Sequence, residues 1–432
     1  MYPHFMTDSD FNSDNTEYDR LLDEGGWIDD SATVRSEARL GFSGKGENWS
    51  FMTILEADFA LSKGNTDRGR RLGGEIEDTG MTGNEFAIEK LEFTYDFTSH
   101  GAPMQVMTGW DTKWLDIETG GLAYGDDHPY IGLKGKYNDI SWEALTMFIN
   151  DEVYGGPDFE DNDWEAYTFK FAMPVAQGLT LNPFYAYSHN KARDANVHYI
   201  GVQTFGKIGR LTPRAEFVYA EGDKDNPFGR DYDIDAWAAF AALEVNVSDE
   251  MNPYFGGYYM TGDDDRNDND IEAYNPITNI SRYTSTFGME NAFIYRYVPI
   301  LGSHLYSNDF AMLGDDPGYG GISNSAKADS PGMYSLGFGT KGKFENHNIS
   351  YKTQFQYFWF EETGALDQSY GRKIDDDIGW EFDLRITYHF SENFSIGNVL
   401  SVFDPGDGIQ DLYGPDFDET AYLDTVEMTW TF

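Results

Sequence analysis

Apolar and polar residues alternate along most of this chain with a period of two, which is the period of a β-strand. In residues 378–390, one face carries Ile, Trp, Phe, Leu, Ile, Tyr and Phe, and the other carries mainly Glu, Asp, Arg, Thr and His. Residues 34–42 and 90–97 alternate in the same way. A soluble β-sandwich explains one such strand, but many repeats of this length favour a sheet with one continuous apolar face.

The connections between these segments alternate between short turns and long polar loops. Asn138 and Asp139 form one of the short turns, whereas the longest loop spans residues 262–330. Short turns on one rim and long loops on the other are typical of bacterial outer-membrane β-barrels, in which the turns are periplasmic and the loops extracellular. Aromatic residues at strand ends, such as Trp49 and Trp359, fit the interfacial girdles of these barrels.

The pattern therefore predicts an all-β fold, a transmembrane antiparallel β-barrel of about 18 strands. Residues 1–6 supply the first strand of an even barrel, and 16 strands is the alternative count. Residues 1–432 are predicted to form a single barrel, because no Pro/Ser-rich linker divides the chain. Residues 262–330 are too long for an ordinary loop. We expect them to form a pore constriction or a mouth cover, and we favour the constriction.

Composition excludes several other classes of protein. The chain has 432 residues, with 30 Lys plus Arg against 75 Asp plus Glu and a formal net charge of −45. A field of this sign repels nucleic acid. The absence of cysteine excludes disulfides, thiolate catalysis and zinc ribbons. No apolar run reaches the length of a membrane-spanning helix, yet 16% aromatic residues supply enough apolar surface for folding.

The last predicted strand ends the chain on Phe432 and has apolar or aromatic residues at alternate positions before it. This ending resembles the C-terminal signal by which the barrel-assembly machinery recognises bacterial outer-membrane proteins. Within that class, the chain resembles porins of the 18-stranded alginate-export type, in which a tyrosine-rich strand precedes an acidic loop such as GDDDRNDND at residues 262–270.

The resemblance implies a location in the outer membrane of a Gram-negative bacterium. The implied partners are outer-membrane lipid, lipopolysaccharide and the barrel-assembly machinery, which would bind through Phe432. A homotrimer is a candidate assembly, although its interface cannot be told from lipid-facing surface in the sequence. We expect no nucleic-acid partner.

A porin does no covalent chemistry, so we predict that the protein is not an enzyme. We predict a water-filled channel for passive diffusion of ions and small polar solutes, with a weak cation preference set by the acidic loops. One alternative is a substrate-specific exporter or importer of an anionic saccharide, and another is a barrel sheath around a cytochrome electron conduit. A secreted glycan-active protein is the competitor from a different class, but Glu361 and Glu362 face opposite sides of a strand and cannot act as an acid–base pair.

The candidate functional residues are charged side chains predicted to face the lumen. Opposed basic and acidic rows create a transverse field across a constriction, whereas wall salt bridges are the alternative use of the same charges. The arginines are the strongest candidates for a basic cluster, because arginine stays charged and binds carboxylates with two hydrogen bonds. The predicted pore-lining set is Arg35, Glu37, Arg39, Glu56, Asp58, Lys90, Glu92, Lys134, Lys136, Lys170, Arg214, Glu216, Lys352, Glu381, Asp383 and Arg385.

Acidic residues are also clustered in the loop at residues 262–270. Calcium takes about six to eight oxygen ligands from carboxylates and carbonyls, so this loop is a candidate calcium site, and we predict no other cofactor. The glycine and terminal glutamate of an EF-hand loop are missing, and a solvated run of like charges is the alternative interpretation. The candidate ligands are Asp263, Asp264, Asp265, Asp268 and Asp270.

Overall fold

The computed structural model describes residues 2–7, 31–60, 86–113, 117–124, 127–150, 163–191, 194–225, 229, 231–265, 267–277, 284–289, 331–415 and 418–431. The strands in these ranges are β1 (Tyr2–Thr7), β2 (Ser31–Lys45), β3 (Trp49–Ala60), β4 (Phe86–Asp96), β5 (Met104–Thr112), β6 (Asp127–Tyr137), β7 (Ile140–Asn150), β8 (Trp164–Ala176), β9 (Leu179–Asn190), β10 (Ala195–Gly206), β11 (Leu211–Lys224), β12 (Tyr232–Val245), β13 (Asn252–Met260), β14 (Asp270–Ile271), β15 (Met333–Phe344), β16 (Ile349–Trp359), β17 (Asp377–Ser391), β18 (Phe394–Pro405) and β19 (Ala421–Trp430). Two short helices, α1 (Gly364–Tyr370) and α2 (Asp407–Tyr413), lie in the loops. No helix within the described ranges is long and apolar enough to span a membrane.

Eighteen of these strands form one antiparallel sheet, in which each strand pairs with the barrel strands before and after it in the chain. The remaining strand, β14, has two residues and lies parallel to β12. His4 of β1 lies opposite both Thr33 of β2 and Thr425 of β19, so the pairing runs around a closed ring. The prediction of an all-β antiparallel barrel of about 18 strands is confirmed, and residues 2–6 of the predicted first strand lie in β1, whereas residue 1 lies outside the described residues.

Short turns and longer loops alternate around the ring as predicted, except that β9 and β10 are joined on the rim of the longer loops by only residues 191–194. Asn138 and Asp139 alone join β6 to β7, and Asn138 takes a φ of 53°. This left-handed conformation is common in two-residue hairpin turns, and asparagine tolerates it better than most residues. We call the rim that carries these turns the turn rim and the opposite rim the loop rim.

The outer face of the sheet is an apolar band bordered by aromatic rings. Leu336 and Phe338 point outward from β15 with 63% and 62% of their surfaces exposed. Near the turn rim, Phe394 stacks on Trp430 with ring centroids 4.4 Å apart. Near the loop rim, Tyr334 stacks on Trp359 at 5.0 Å. An outward apolar band between two aromatic girdles is the surface that a bilayer requires of a barrel.

Candidate lumen constriction

The first part of the candidate site is the segment 117–124, which follows β5 and lies inside the barrel. Leu122 is fully buried there. Glu216 of β11 binds the segment, because its carboxylate accepts hydrogen bonds from the Thr119 hydroxyl at 2.7 Å, the Gly120 N–H at 2.8 Å and the Leu122 N–H at 3.4 Å. β11 lies six strands around the ring from β5. The segment therefore crosses the lumen to reach a distant wall.

The second part comes from the long loop after β13 and packs on the first. The Tyr274 hydroxyl donates to the Leu122 carbonyl at 2.7 Å, and the Ile277 N–H donates to the Ala123 carbonyl at 2.9 Å. The Ser285 hydroxyl likewise donates to the Glu118 carbonyl at 3.0 Å. Because these hydrogen bonds join the parts, we treat residues 117–124, 271–277 and 284–289 as one body, the lumen insert. Residues 278–283 and 290–330 of the predicted constriction lie outside the described residues, and its role in narrowing a pore stays a prediction.

Two glycines of β15 let aromatic rings approach the barrel wall. A Cβ atom at Gly337 would lie 2.9 Å from the ring of Phe287, which belongs to the lumen insert. A Cβ atom at Gly339 would lie 2.6 Å from the ring of Tyr254, whose hydroxyl donates to the Thr353 carbonyl at 2.8 Å. The fully buried Phe287 ring in turn lies 5.5 Å from that of Tyr254. A Cβ atom would also lie 2.6 Å from the Phe355 carbonyl oxygen at Gly337 and closer still to the Thr353 carbonyl oxygen at Gly339, so a side chain at either position would disturb the pairing with β16 as well as the rings.

Inward charges on β4 to β6 form a connected network. Lys90 pairs with Asp111 at 2.6 Å, and Lys113 pairs with Glu92 at 2.6 Å and with Asp111 at 3.1 Å. The Tyr130 hydroxyl also donates to Glu92 at 2.6 Å. Lys90 and Glu92 were predicted to face the lumen. Lys113 was missed, because it follows the end of β5 and strand parity assigns no direction to it.

The predicted arginines do not meet in one cluster. Each of the three whose side chains are described pairs with a glutamate: Arg39 with Glu56 at 3.3 Å, Arg214 with Glu244 at 3.3 Å, and Arg385 with Glu427 at 2.5 Å. β2 and β11 are nine strands apart in a ring of 18, so Arg39 and Arg214 lie on opposite walls. The side chains of Arg35, Glu37 and Asp58 lie outside the described part of the chain.

A row of basic side chains crosses β15, β16 and β17 toward the turn rim. Lys341, Lys352 and Arg385 occupy directly opposed positions on these three strands, beside a cavity of about 360 Å³. Lys341 also pairs with Glu244 at 2.8 Å, and Lys352 donates to the Gly288 carbonyl of the lumen insert at 2.5 Å. Lys341 was missed from the sequence, because the inner face of β15 otherwise carries serine and glycine and shows no clear alternation.

A second group of lysines lies on the opposite wall. Lys134, Glu143 and Lys170 face one another across β6, β7 and β8, with Lys170 and Glu143 3.6 Å apart. Lys134 and Lys136 line the same cavity of about 450 Å³, and no carboxylate of the described residues lies within ion-pair distance of either. Cations therefore line two facing walls in the half of the lumen next to the turn rim.

Four of the predicted pore-lining acids are buried instead of facing open water: Glu56, Glu216, Glu381 and Asp383. Glu381 and Asp383 point inward from β17, and each is only 1% exposed. The Gln354 amide donates to Asp383 at 2.7 Å. Strand parity identified their direction correctly but carries no information about what covers them.

The acidic loop at residues 262–270 folds back on its own backbone. Asp263 is buried, and its carboxylate accepts the N–H groups of Asp265 and Glu272, both at 3.2 Å. Burial raises the pKa of Asp263 to about 7, which weakens its charge at neutral pH. Within the described ranges, no three histidine or acidic residues are grouped closely enough to hold a metal ion. Calcium binding by this loop stays a prediction.

No sequence-family model and no curated protein matches the chain. Solved structures do match it. OccK8 (OprE) of Pseudomonas aeruginosa is 11% identical with a TM-score of 0.54 and coverage of 100% of this chain and 96% of that one. OccAB4 of Acinetobacter baumannii is 10% identical with a TM-score of 0.53 and coverage of 99% and 95%. OccK11 (OpdR) of Pseudomonas aeruginosa is 10% identical with a TM-score of 0.52 and coverage of 99% and 93%.

These neighbours are 18-stranded outer-membrane porins. The chain has the porin fold. The predicted resemblance to outer-membrane porins is thereby confirmed, and the predicted bacterial outer-membrane location agrees with these neighbours. At this level of identity, the likeness establishes the porin fold alone.

Proposed function

We propose that the protein is an outer-membrane porin that lets ions and small polar solutes diffuse passively through its lumen. The observation that carries this proposal is a closed ring of 18 strands with an apolar outer band and charged inner walls. The lumen insert narrows the passage, and the opposed charges beside it orient water and polar solutes. The same insert occupies space that a cytochrome would need, which argues against a conduit sheath.

The ion preference follows from two opposing features. The chain carries 75 acidic against 30 basic residues, and the excess acid of the loops concentrates cations at the mouth. We therefore propose a weak cation preference. The lysine cavity at Lys134 and Lys136 favours the second candidate, a channel for an anionic solute such as an acidic saccharide, because these cations have no acidic partner among the described residues.

Single-channel conductance in a planar bilayer under a salt gradient tests both proposals. Detergent-extracted protein is expected to give stable conductance steps with a reversal potential of cation sign. The double variant Lys134→Gln/Lys136→Gln should move the reversal potential further toward cations, and Lys207→Gln on a turn is the matched control. An anion sign in the parent protein would replace the cation preference by the anionic-solute candidate. Folded protein without conductance steps would contradict the porin proposal.

The proposed partners follow from the same membrane location. Outer-membrane lipid surrounds the apolar band, while lipopolysaccharide contact and a homotrimer remain proposals. Recognition by the barrel-assembly machinery through Phe432 also stays a prediction, because Phe432 lies outside the described residues. Deletion of Phe432 is expected to lower the amount of protein assembled in the membrane, measured against the parent chain at equal synthesis.

A further inference from the structure

Among the residues whose side chains are described, the apolar band between the two girdles contains one polar pair that faces outward. Asp424 lies opposite Leu400 of β18, and Asn398 lies opposite Val426 of β19. Asn398 also lies opposite Ile386, whose side chain is exposed on the outer face. The other described outward residues between the girdles are apolar, aromatic, glycine, proline or threonine. An acid and an amide at this position are costly in hydrocarbon unless something polar binds them.

The hydrogen bonds within the pair leave only acceptors unused. The Asn398 Nδ2 atom donates to Asp424 Oδ1 at 2.5 Å and to the Thr425 carbonyl at 3.3 Å, so both amide hydrogens are engaged. The second carboxylate oxygen of Asp424 and the amide oxygen of Asn398 remain. No donor among the described residues reaches either oxygen. A molecule that satisfies this site must therefore bring hydrogen-bond donors into the bilayer.

The depth of the site indicates which molecule brings them. Asp424 is two residues below Tyr422 of the loop-rim girdle, which is about 5 Å into the hydrocarbon for a tilted strand. The loop rim faces the outer leaflet in the proposed orientation. Ester-linked chains of phospholipids offer only acceptors at this depth. The amide-linked hydroxyacyl chains of lipopolysaccharide carry an N–H and a hydroxyl there.

We propose that Asp424 and Asn398 bind the amide and hydroxyl groups of a lipopolysaccharide acyl chain. This inference rests on the proposed outer-membrane location. A second copy of the chain fits the site less well, since it would present the same unused acceptors. The role is that of a lipid site on the outer wall, separate from the passage through the lumen.

Native mass spectrometry of the detergent-extracted full chain tests the site with two probes. The first probe is lipid A, which carries hydroxyacyl amides, and the second is phosphatidic acid, which carries phosphate without donors on its chains. The parent protein is expected to retain lipid A about tenfold better than phosphatidic acid, because two hydrogen bonds within a membrane contribute about that factor in affinity. Asp424→Leu and Asn398→Leu should remove this preference, whereas Thr204→Val on β10 should keep it.

Equal retention of the two lipids by the parent protein would overturn the proposal. The proposal would also be overturned if the Val426→Cys variant formed an intermolecular disulfide in membranes, because a second protein chain would then cover this face. The parent chain has no cysteine, so any such disulfide would come from the introduced residue. Resistance to SDS before boiling reports folding of every variant. Conductance steps in the same preparation separate failure of the lipid site from failure of the porin proposal.

Discussion

Replacing Glu216 is the sharpest test of how the lumen insert is held. The Glu216 carboxylate is 2% exposed and accepts three hydrogen bonds from residues 119–122. In the variant Glu216→Gln, an NH2 group replaces one of the two carboxylate oxygens. This group is a donor and faces a backbone N–H that the carboxylate had bound, so at least one hydrogen bond is lost. We expect the segment 117–124 to detach from the wall, and the loop residues that bind it to lose their support.

The size of the effect follows from the three contacts. Hydrogen bonds to a charged group contribute roughly 1.5–3 kcal/mol each, and the third contact is long at 3.4 Å. Relief from burying a carboxylate offsets part of this sum. A net loss of about 3 kcal/mol raises the population of the detached segment by roughly a hundredfold. The detached state should therefore change from a rare excursion to a visible conductance level.

The assay is single-channel recording combined with hydrogen exchange. Glu216→Gln is expected to give larger and noisier conductance steps, with faster exchange of the Gly120 and Leu122 amides. Glu244→Gln is the matched control, because Glu244 points inward from β12 and pairs with Arg214 and Lys341 without a described hydrogen bond to the lumen insert. If the two variants gave the same conductance and exchange rates as the parent chain, Glu216 would not position the segment.

Three further predictions concern the insert and the acidic loop. Tyr274→Phe leaves the buried Leu122 carbonyl without its donor, costs about 1–2 kcal/mol and should add a smaller, separately resolved conductance level. Gly337→Val places a side chain against the Phe355 carbonyl oxygen of β16 and the Phe287 ring, so a lower melting temperature is expected from the first clash and a higher conductance from displacement of the ring, and unchanged conductance would contradict the ring contact. The raised pKa of Asp263 means that its carboxyl is protonated below about pH 7 and ionised above it. Any rise in melting temperature caused by calcium should therefore be larger near about pH 8 than near about pH 6. If the melting temperature in calcium equalled that in a chelator, the acidic loop would be a solvated run of like charges.

The strands were predictable because their signal is local. In residues 380–390 the identity of each residue indicates which face of β17 it occupies, and the same rule gives the inward direction of Arg214 and Lys352. Ile378, predicted to face outward with Trp380 and Phe382, is instead fully buried, because the pairing with β16 shifts register there and leaves it out of the alternation. β15 shows where the rule fails, since Ser335, Gly337 and Gly339 on its inner face hide the direction of Lys341.

The course of the lumen insert was not predictable in this way. Thr119 and Glu216 are 97 positions apart in the sequence, and neither residue carries a pattern that points to the other. Strand parity assigned Glu216 to the lumen and was correct in direction. Whether an inward carboxylate meets water, a cation or a backbone N–H depends on where a loop returns, and that contact depends on the whole barrel.

The strand that closes the ring is also its shortest barrel strand. β1 has six residues, whereas β2 has 15, and only four residues of β1 pair with β19. The other joins in the barrel connect strands that follow one another along the chain, apart from the two-residue β14, and the longest of them is the β13–β15 join, in which Met260 lies opposite Met333. The β1–β19 join brings residue 4 to residue 425, and such distant pairing is slow because chain entropy opposes it. Until it forms, the sheet has two open edges, with β19 at one of them. A protein that must keep an open edge from aggregating during its slowest folding step depends on being inserted and closed at the membrane.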